Sequence, residues 1–263
     1  MVLRDGFNGV LRAVVSAKVP LVASCIDQAV SLMRRLDISP LAMAAALSAV
    51  AGMADSAGFI LLDGLFIAHV TGNFVLIGAA VARGSTGIVS KLLTLPAFFL
   101  GVVSARLGAQ NLKLGSGAHQ LSSLLAAEAA MLLAMVALGE LIVSGSGSDT
   151  LIVSTLGCIG AFAMGIQNAV GRLHLAQWPA STVMTVNASQ FAIDVVDVTS
   201  SRLAAEADGK ARQRLRNVGL MMTSFACGAL AGAIGAMYFR FLILLIPCAI
   251  LFVLTFAKAR SAS

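Results

Sequence analysis

Residues 52–80 read GMADSAGFILLDGLFIAHVTGNFVLIGAA. Two apolar runs meet at Asp63, and inside them stand Asp55, His69, Thr71 and Asn73. An ionisable side chain at the centre of a membrane helix costs about 3 kcal/mol on insertion scales, so each such group is a functional candidate. Gly52, Ala54, Ala57 and Gly58 keep the surroundings of Asp55 small, so another helix can approach closely. A carboxylate held there could bind a proton, a cation or a cationic group of a solute. The plainer reading is an aspartate satisfied by Ser56 or a neighbouring helix. Asp63 reads as an interfacial turn residue.

The rest of the chain has the same character. Of 263 residues, 59% are hydrophobic and 11% charged, and the mean hydropathy is +0.94. A soluble globular chain carries about 25% charged residues. Apolar runs recur at the length that about 30 Å of hydrocarbon demands of a helix, and the alternation of a transmembrane β-barrel is absent. The expected fold is all-α: a polytopic integral membrane helical bundle of six to eight membrane segments. The net charge of +6 sits between the apolar runs and follows the positive-inside rule, so no nucleic-acid partner is expected.

Apolar segments fall near 41–62, 66–83, 90–110, 121–143, 150–171, 181–200, 217–237 and 239–257. The second and sixth are short and carry polar groups near their starts. Loop charge is compatible with both of them crossing or with both dipping in and returning, and disfavours one doing each. Both crossing, as broken helices, is the favoured arrangement. Residues 1–40 are expected to form a cytoplasmic segment, amphipathic or partly disordered, with Arg34 and Arg35 holding that end inside. Residues 41–257 form the membrane domain, and 258–263 a cytoplasmic tail. Both termini are therefore expected in the cytoplasm.

The two odd segments suggest an internal duplication, with halves at about 41–143 and 150–257. Asp55 and Ser56 line up with Gln167 and Asn168. After a small shift, Thr71 and Asn73 line up with Thr185 and Asn187. Paired, interrupted polar segments in two halves point to a transporter binding site. In the second half Asn187, Gln190, Asp194 and Asp197 share one helical face, with Thr182, Thr185 and Ser189 beside it. Such a stripe cannot face lipid. It lines a pathway, or it lies near the cytoplasmic surface with its aspartates solvated. The candidate substrate- or ion-binding residues are thus Asp55, His69, Thr71, Asn73, Gln167, Asn168, Thr185, Asn187, Gln190 and Asp194. Glu128 ranks behind them, and His69 could also be a cap or interfacial residue.

No catalytic motif, phosphate loop or metal-ligand spacing appears, so no enzyme activity, cofactor or metal is expected. Cys25, Cys158, Cys227 and Cys248 read as small hydrophobes, without a disulfide. Glycines 101, 157, 160, 228, 232 and 235 read as close-packing positions.

The strings GMADSAGFILLDGLFIAHVTGNFVLIGAAVARG and, later, GIQNAVGRL with VMTVNASQFAID resemble the YoaK family of bacterial membrane proteins. That family has a small-residue first helix with an aspartate, then a segment with a TGN core. This chain departs from the pattern at Thr185, Val186 and Asn187, where Thr-Gly-Thr is expected. The resemblance covers about 41–257 and implies a multi-pass protein of the bacterial inner membrane, with no established biochemical function. The expected partners are membrane lipid and a small polar solute or ion, with the chain alone or as a homo-oligomer. The functional expectation is a transporter or channel using a duplicated intramembrane polar site. A membrane scaffold or regulator acting through partners is the alternative, ahead of an intramembrane enzyme.

Overall fold

A computed structural model describes residues 28, 31, 36–111, 117–143, 150–200 and 205–259. Most of the expected N-terminal surface segment, the 144–149 loop, residues 201–204 and the last four residues lie outside these. The chain forms α1 (Pro40–Leu61), α2 (Gly72–Arg83), α3 (Ile88–Asn111), α4 (Gly117–Val143), α5 (Thr150–His174), α6 (Met184–Thr199), α7 (Ala205–Phe239) and α8 (Leu245–Phe256). A 3-10 turn, Arg240–Leu244, joins the last two. The only strand pairing among the described residues is a short parallel one, β1 (Asp37–Ile38) with β2 (Lys258–Ala259), which ties the end of α8 to the start of α1. Five helical stretches are long and apolar enough to cross a membrane, the last of them being α7 and α8 taken together. The protein is a helical membrane bundle.

Local chemistry sets the ends. Ser39 caps α1, its Oγ accepting from the Ala42 N–H at 3.2 Å, and Pro40 follows where a missing N–H costs nothing. Gly84, in the left-handed region, stops α2. Apolar side chains such as Val75, Phe99, Leu141, Leu230 and Met237 point outward, as a lipid-facing surface requires.

Close approaches fix the direction of each helix. Gly228 meets Ala49 and Gly232 meets Met53, so α7 runs parallel to α1. Ser90 meets Ser154, and Gly101 meets Phe162, so α3 runs parallel to α5. Gln167 binds the Leu47 carbonyl, while Gly58 and Gly160 both pack on Ile67, so α1 and α5 are antiparallel. Phe241 of the 3-10 turn lies against Gly139, and Cys248 of α8 against Ala129, so α8 opposes α4.

These directions correct the favoured topology. Because α3 runs against α1, the chain between them leaves and returns at one end of the bundle. Because α7 runs against α5, the same holds at the other end. Neither α2 nor α6 crosses. The physical reason is length: 12 and 16 residues reach about 18 and 24 Å at about 1.5 Å per residue, short of about 30 Å of hydrocarbon. Each is a half-helix preceded by a non-helical limb that enters the bundle.

Candidate functional site

The first limb begins where α1 ends. Asp63 (φ 51°) and Gly64 (φ 70°) both adopt left-handed backbone and turn the chain back on itself. Residues 65–71 then descend beside α1 with no helix to satisfy their N–H groups. Asp55 supplies the acceptor. Its Oδ1 accepts from the N–H groups of Ile67 (2.9 Å), Ala68 (2.8 Å) and His69 (3.2 Å). Inside a bilayer no water could replace it. Leu65 and Ile67 fill the space beside Gly157 and Gly160 of α5, which explains why small residues recur there.

Asn73, buried in the first turn of α2, closes the limb from the other side. Its Oδ1 accepts from Phe66 N at 3.0 Å, and its Nδ2 donates to Phe66 O at 2.8 Å and Thr94 Oγ1 at 2.9 Å. Thr94 Oγ1 in turn donates to the Lys91 carbonyl at 2.7 Å. Three of the candidates therefore come together as Asp55, the His69 backbone and Asn73. The His69 ring is exposed and stacks near Phe66, so it forms no dyad with Asp55. Thr71 is exposed and makes no capping bond.

The second limb, residues 175–183, follows α5 and enters from the opposite end. Gln167 Nε2 donates to Leu47 O at 2.9 Å and to Ser181 Oγ at 3.2 Å. Ser48 Oγ donates to the Ser181 carbonyl at 3.2 Å, and Asn168 Nδ2 to Thr182 Oγ1 at 2.9 Å. Asn187 Nδ2 donates to Ala180 O at 2.8 Å, across the same seven-residue span that separates Asn73 from Phe66. Thr185 and Ser189, by contrast, are exposed.

A cleft of about 230 Å³ opens beside this limb, lined in part by Asn168, Arg172, Trp178, Ser181, Thr182 and Val186. Trp178 lines the cleft, and its Nε1 is buried without a partner among the described residues. Buried polar atoms without partners are uncommon, and this one belongs to a side chain beside a space that a polar ligand could fill.

The stripe on α6 faces α7. Asn187 and Asp194 are buried, with Gln190 and Asp197 half-buried. Asp194 Oδ1 accepts from Arg214 Nη2 at 2.7 Å, Arg214 Nε at 3.1 Å and Gln190 Nε2 at 3.0 Å. Asp194 is thus held in an ion pair that docks α6 on α7. Sequence reasoning missed Arg214, Ser48, Thr94, Lys91 and Ser181, which act through contacts distant in the chain. Arg214 carried a signal only as one of several loop charges.

Glu128 stands apart from both breaks, on α4, near Cys248 of α8. It is fully buried, and among the described residues both carboxyl oxygens are without a partner. An unsatisfied buried polar group costs about 1–3 kcal/mol. Glu128→Met, which keeps the volume and removes the polar atoms, is expected to stabilise the protein by that amount, read as a raised thermal midpoint in detergent. A lowered midpoint would show that buried water hydrogen-bonds the carboxyl.

No curated protein and no solved structure matches the chain. Residues 43–257, nearly the whole membrane domain, match the model of one family, described as a protein of unknown function (DUF1275). The match spans both breaks and both asparagines, in agreement with the YoaK resemblance, and the chain belongs to that family.

Proposed function

We propose that the protein is a transporter or channel for a small polar solute or ion, and carries out no covalent chemistry. One observation carries this reading: two half-helices enter the bundle from opposite ends, each led in by a non-helical limb and each bearing a buried asparagine in its first turn. Irregular backbone at membrane depth is tolerated only where protein buries it or where it lines a cavity. Opposed half-helices with N-termini aimed inward are a recurrent way to build a solute site near the bilayer midplane.

The two halves are then inverted-topology repeats. The packing supports this: α1 on α7 answers α5 on α3, α2 on α3 answers α6 on α7, and α1 on α8 answers α5 on α4. Asp55 and Gln167 each bind the limb of their own half, and Asn73 and Asn187 each close it. Solute binding is assigned to the cleft at the second limb, where Asn168, Thr182 and Trp178 offer polar groups. Loop charge orients the bundle. Arg106, Arg172, Lys210, Arg212, Arg214 and Arg216 lie at the end where α1 begins, and Arg83 and Lys91 at the other. The positive-inside rule therefore puts the start of α1 and both termini in the cytoplasm of a bacterial cell, with the protein in its inner membrane.

The test is solute flux in reconstituted vesicles, followed by light scattering after osmotic challenge with a panel of small polar solutes and salts. Wild-type vesicles are expected to re-swell faster than empty ones for at least one solute. Asn168→Ala combined with Thr182→Val should remove most of the difference while the protein still inserts. Wild-type and empty vesicles that behave alike over the panel, with no solute shifting the thermal midpoint, would sink the proposal.

A further inference from the structure

The cleft at the second limb carries a sign. Arg172 is the one ionisable side chain among the residues that line it, and no aspartate or glutamate stands on its wall. Asn168, Gly171 and Arg172 are spaced as neighbours on one face of α5, and all three line the cleft. Among the described residues the Arg172 guanidinium has neither a hydrogen bond nor an ion pair. Arg214 of α7, by contrast, is held by Asp194. The group that anchors this limb is also neutral. Gln167 binds Ser181 through an amide, whereas the other limb hangs on the carboxylate of Asp55. Nothing that builds the wall therefore offsets the charge of Arg172.

The other wall groups add donors and apolar surface. Thr182 is buried, and its Oγ1 accepts from Asn168 Nδ2, which leaves the hydroxyl proton to be donated. Leu175, Val183 and the Trp178 ring supply apolar surface. A Cβ added at Gly171 would meet nothing within 4 Å, so the helix leaves open space beside the guanidinium.

We infer that this cleft selects a small organic anion, with its carboxylate on the Arg172 guanidinium and the Thr182 hydroxyl and a short apolar body against Leu175, Val183 and the Trp178 ring. Guanidinium and carboxylate meet through two parallel N–H···O bonds, a geometry that a neutral amide cannot reproduce. The inference rests on the solute reading of the cleft proposed above and gives that solute its charge class. The oxyanion belongs either to a free solute or to the headgroup of an anionic lipid, since the cleft lies at a membrane end of the bundle.

Trp178 is the only tryptophan in the chain, so its emission reports this cleft alone. The full chain in phosphatidylcholine nanodiscs would be titrated with propionate, propionamide and propylammonium at neutral pH and constant ionic strength. These probes share a size and differ in charge. Inorganic phosphate, a head without a body, would be run beside them. The expected result is that propionate shifts the emission and raises the thermal midpoint at concentrations where propionamide and propylammonium do neither, with phosphate weaker than propionate. In Arg172→Gln the affinity for propionate should fall about tenfold or more, and Arg172→Lys should keep part of it. Arg216→Gln, which removes an equal charge from the same end of the bundle, should leave it unchanged. Gly171→Met should fill the cleft without meeting backbone and abolish the response. A parallel set of discs would contain phosphatidylglycerol. Emission shifted by that lipid, with propionate no longer effective, identifies a headgroup; a propionate response indifferent to the lipid identifies a free solute. The inference is overturned if propionamide or propylammonium binds as well as propionate, or if Arg172→Gln binds as wild type does. It is overturned equally if neither propionate, phosphate nor phosphatidylglycerol shifts the emission. Flux of a neutral solute in the vesicle assay would then leave the transport reading standing without this one, while anion binding without flux of any solute would do the reverse.

Discussion

Asp55→Ala is expected to destabilise the protein by about 3 kcal/mol or more. The estimate follows from what the carboxylate holds. One oxygen accepts from three successive backbone N–H groups, at Ile67, Ala68 and His69. Ile67 and Ala68 are buried, so water cannot take over. Each buried donor left unsatisfied costs about 1–3 kcal/mol, and bonds to a charged acceptor lie at the strong end. Asp55→Asn keeps one oxygen in place and should fall between wild type and alanine. Asp55→Glu moves the oxygen outward by one methylene and should rescue little. Thermal midpoints of the series check the order. Maleimide labelling of an Ala68→Cys reporter, buried in the parent, checks the location: it should become rapid when Asp55 is lost. An alanine variant with an unchanged midpoint and a protected reporter would mean that the limb does not depend on Asp55. A fully stable Asp55→Asn protein without flux would separate a transport role from this structural one.

Much of this architecture was legible in the residues, and the limits of what was legible have physical causes. Composition and run length identified a helical membrane bundle, because a lipid-facing surface must be apolar wherever it lies in the chain. The polar groups at Asp55, Asn73, Gln167 and Asn187 stood out because burying them in hydrocarbon without partners is costly. Loop charge was compatible with α2 and α6 crossing, the favoured arrangement, and with both returning, because two returns restore the parity that two crossings preserve. Only the register of α3 on α5 and of α1 on α5 decides that point, and such contacts join residues far apart in sequence. Hydropathy also divided α7 and α8 close to the actual turn, where Phe239 gives way to the 3-10 residues.

The stripe on α6 shows how a correct local reading needed a distant residue to complete it. Helical spacing placed Asn187, Gln190 and Asp194 on one face, and that face could not meet lipid. What it does meet is α7, whose Arg214 holds Asp194 through two nitrogens. A polar stripe has the same sequence signature whether it lines water or docks on a basic helix. On α6 the Asp194 end docks, while Asn187 anchors the limb whose residues wall the cleft. A half-helix pinned at its outer end and hydrogen-bonded at its inner end keeps that cleft fixed in shape.

The same dependence on distant contacts gives the last prediction, because it separates glycines that the sequence makes look equivalent. A Cβ on Gly228 would overlap the Ala49 carbonyl, and one on Gly232 the Met53 carbonyl. On the other helix pair, Gly101 faces the Phe162 carbonyl and Gly165 the Phe98 carbonyl. Backbone cannot swing aside as a side chain can, so Gly228→Leu or Gly165→Leu must push whole helices apart. Overpacking of ordinary cores costs about 1–3 kcal/mol, and these sites should exceed that range, giving protein that aggregates on extraction or loses its cooperative transition. Gly78 and Gly171 are helical too, yet a Cβ there meets nothing within 4 Å. At those two positions alanine should be neutral or stabilising by up to about 1 kcal/mol, since glycine weakens a helix by about that much. Size-exclusion profiles and thermal midpoints of the four variants test the contrast. Were Gly228→Leu to fold as well as Gly78→Ala, α1 and α7 could not be packed at this distance, and the opposed directions of α5 and α7 would lose one of their supports. If the close-packed glycines fail and the open ones do not, the parallel pairs α1 with α7 and α3 with α5 stand, and with them two half-helices that enter from opposite ends.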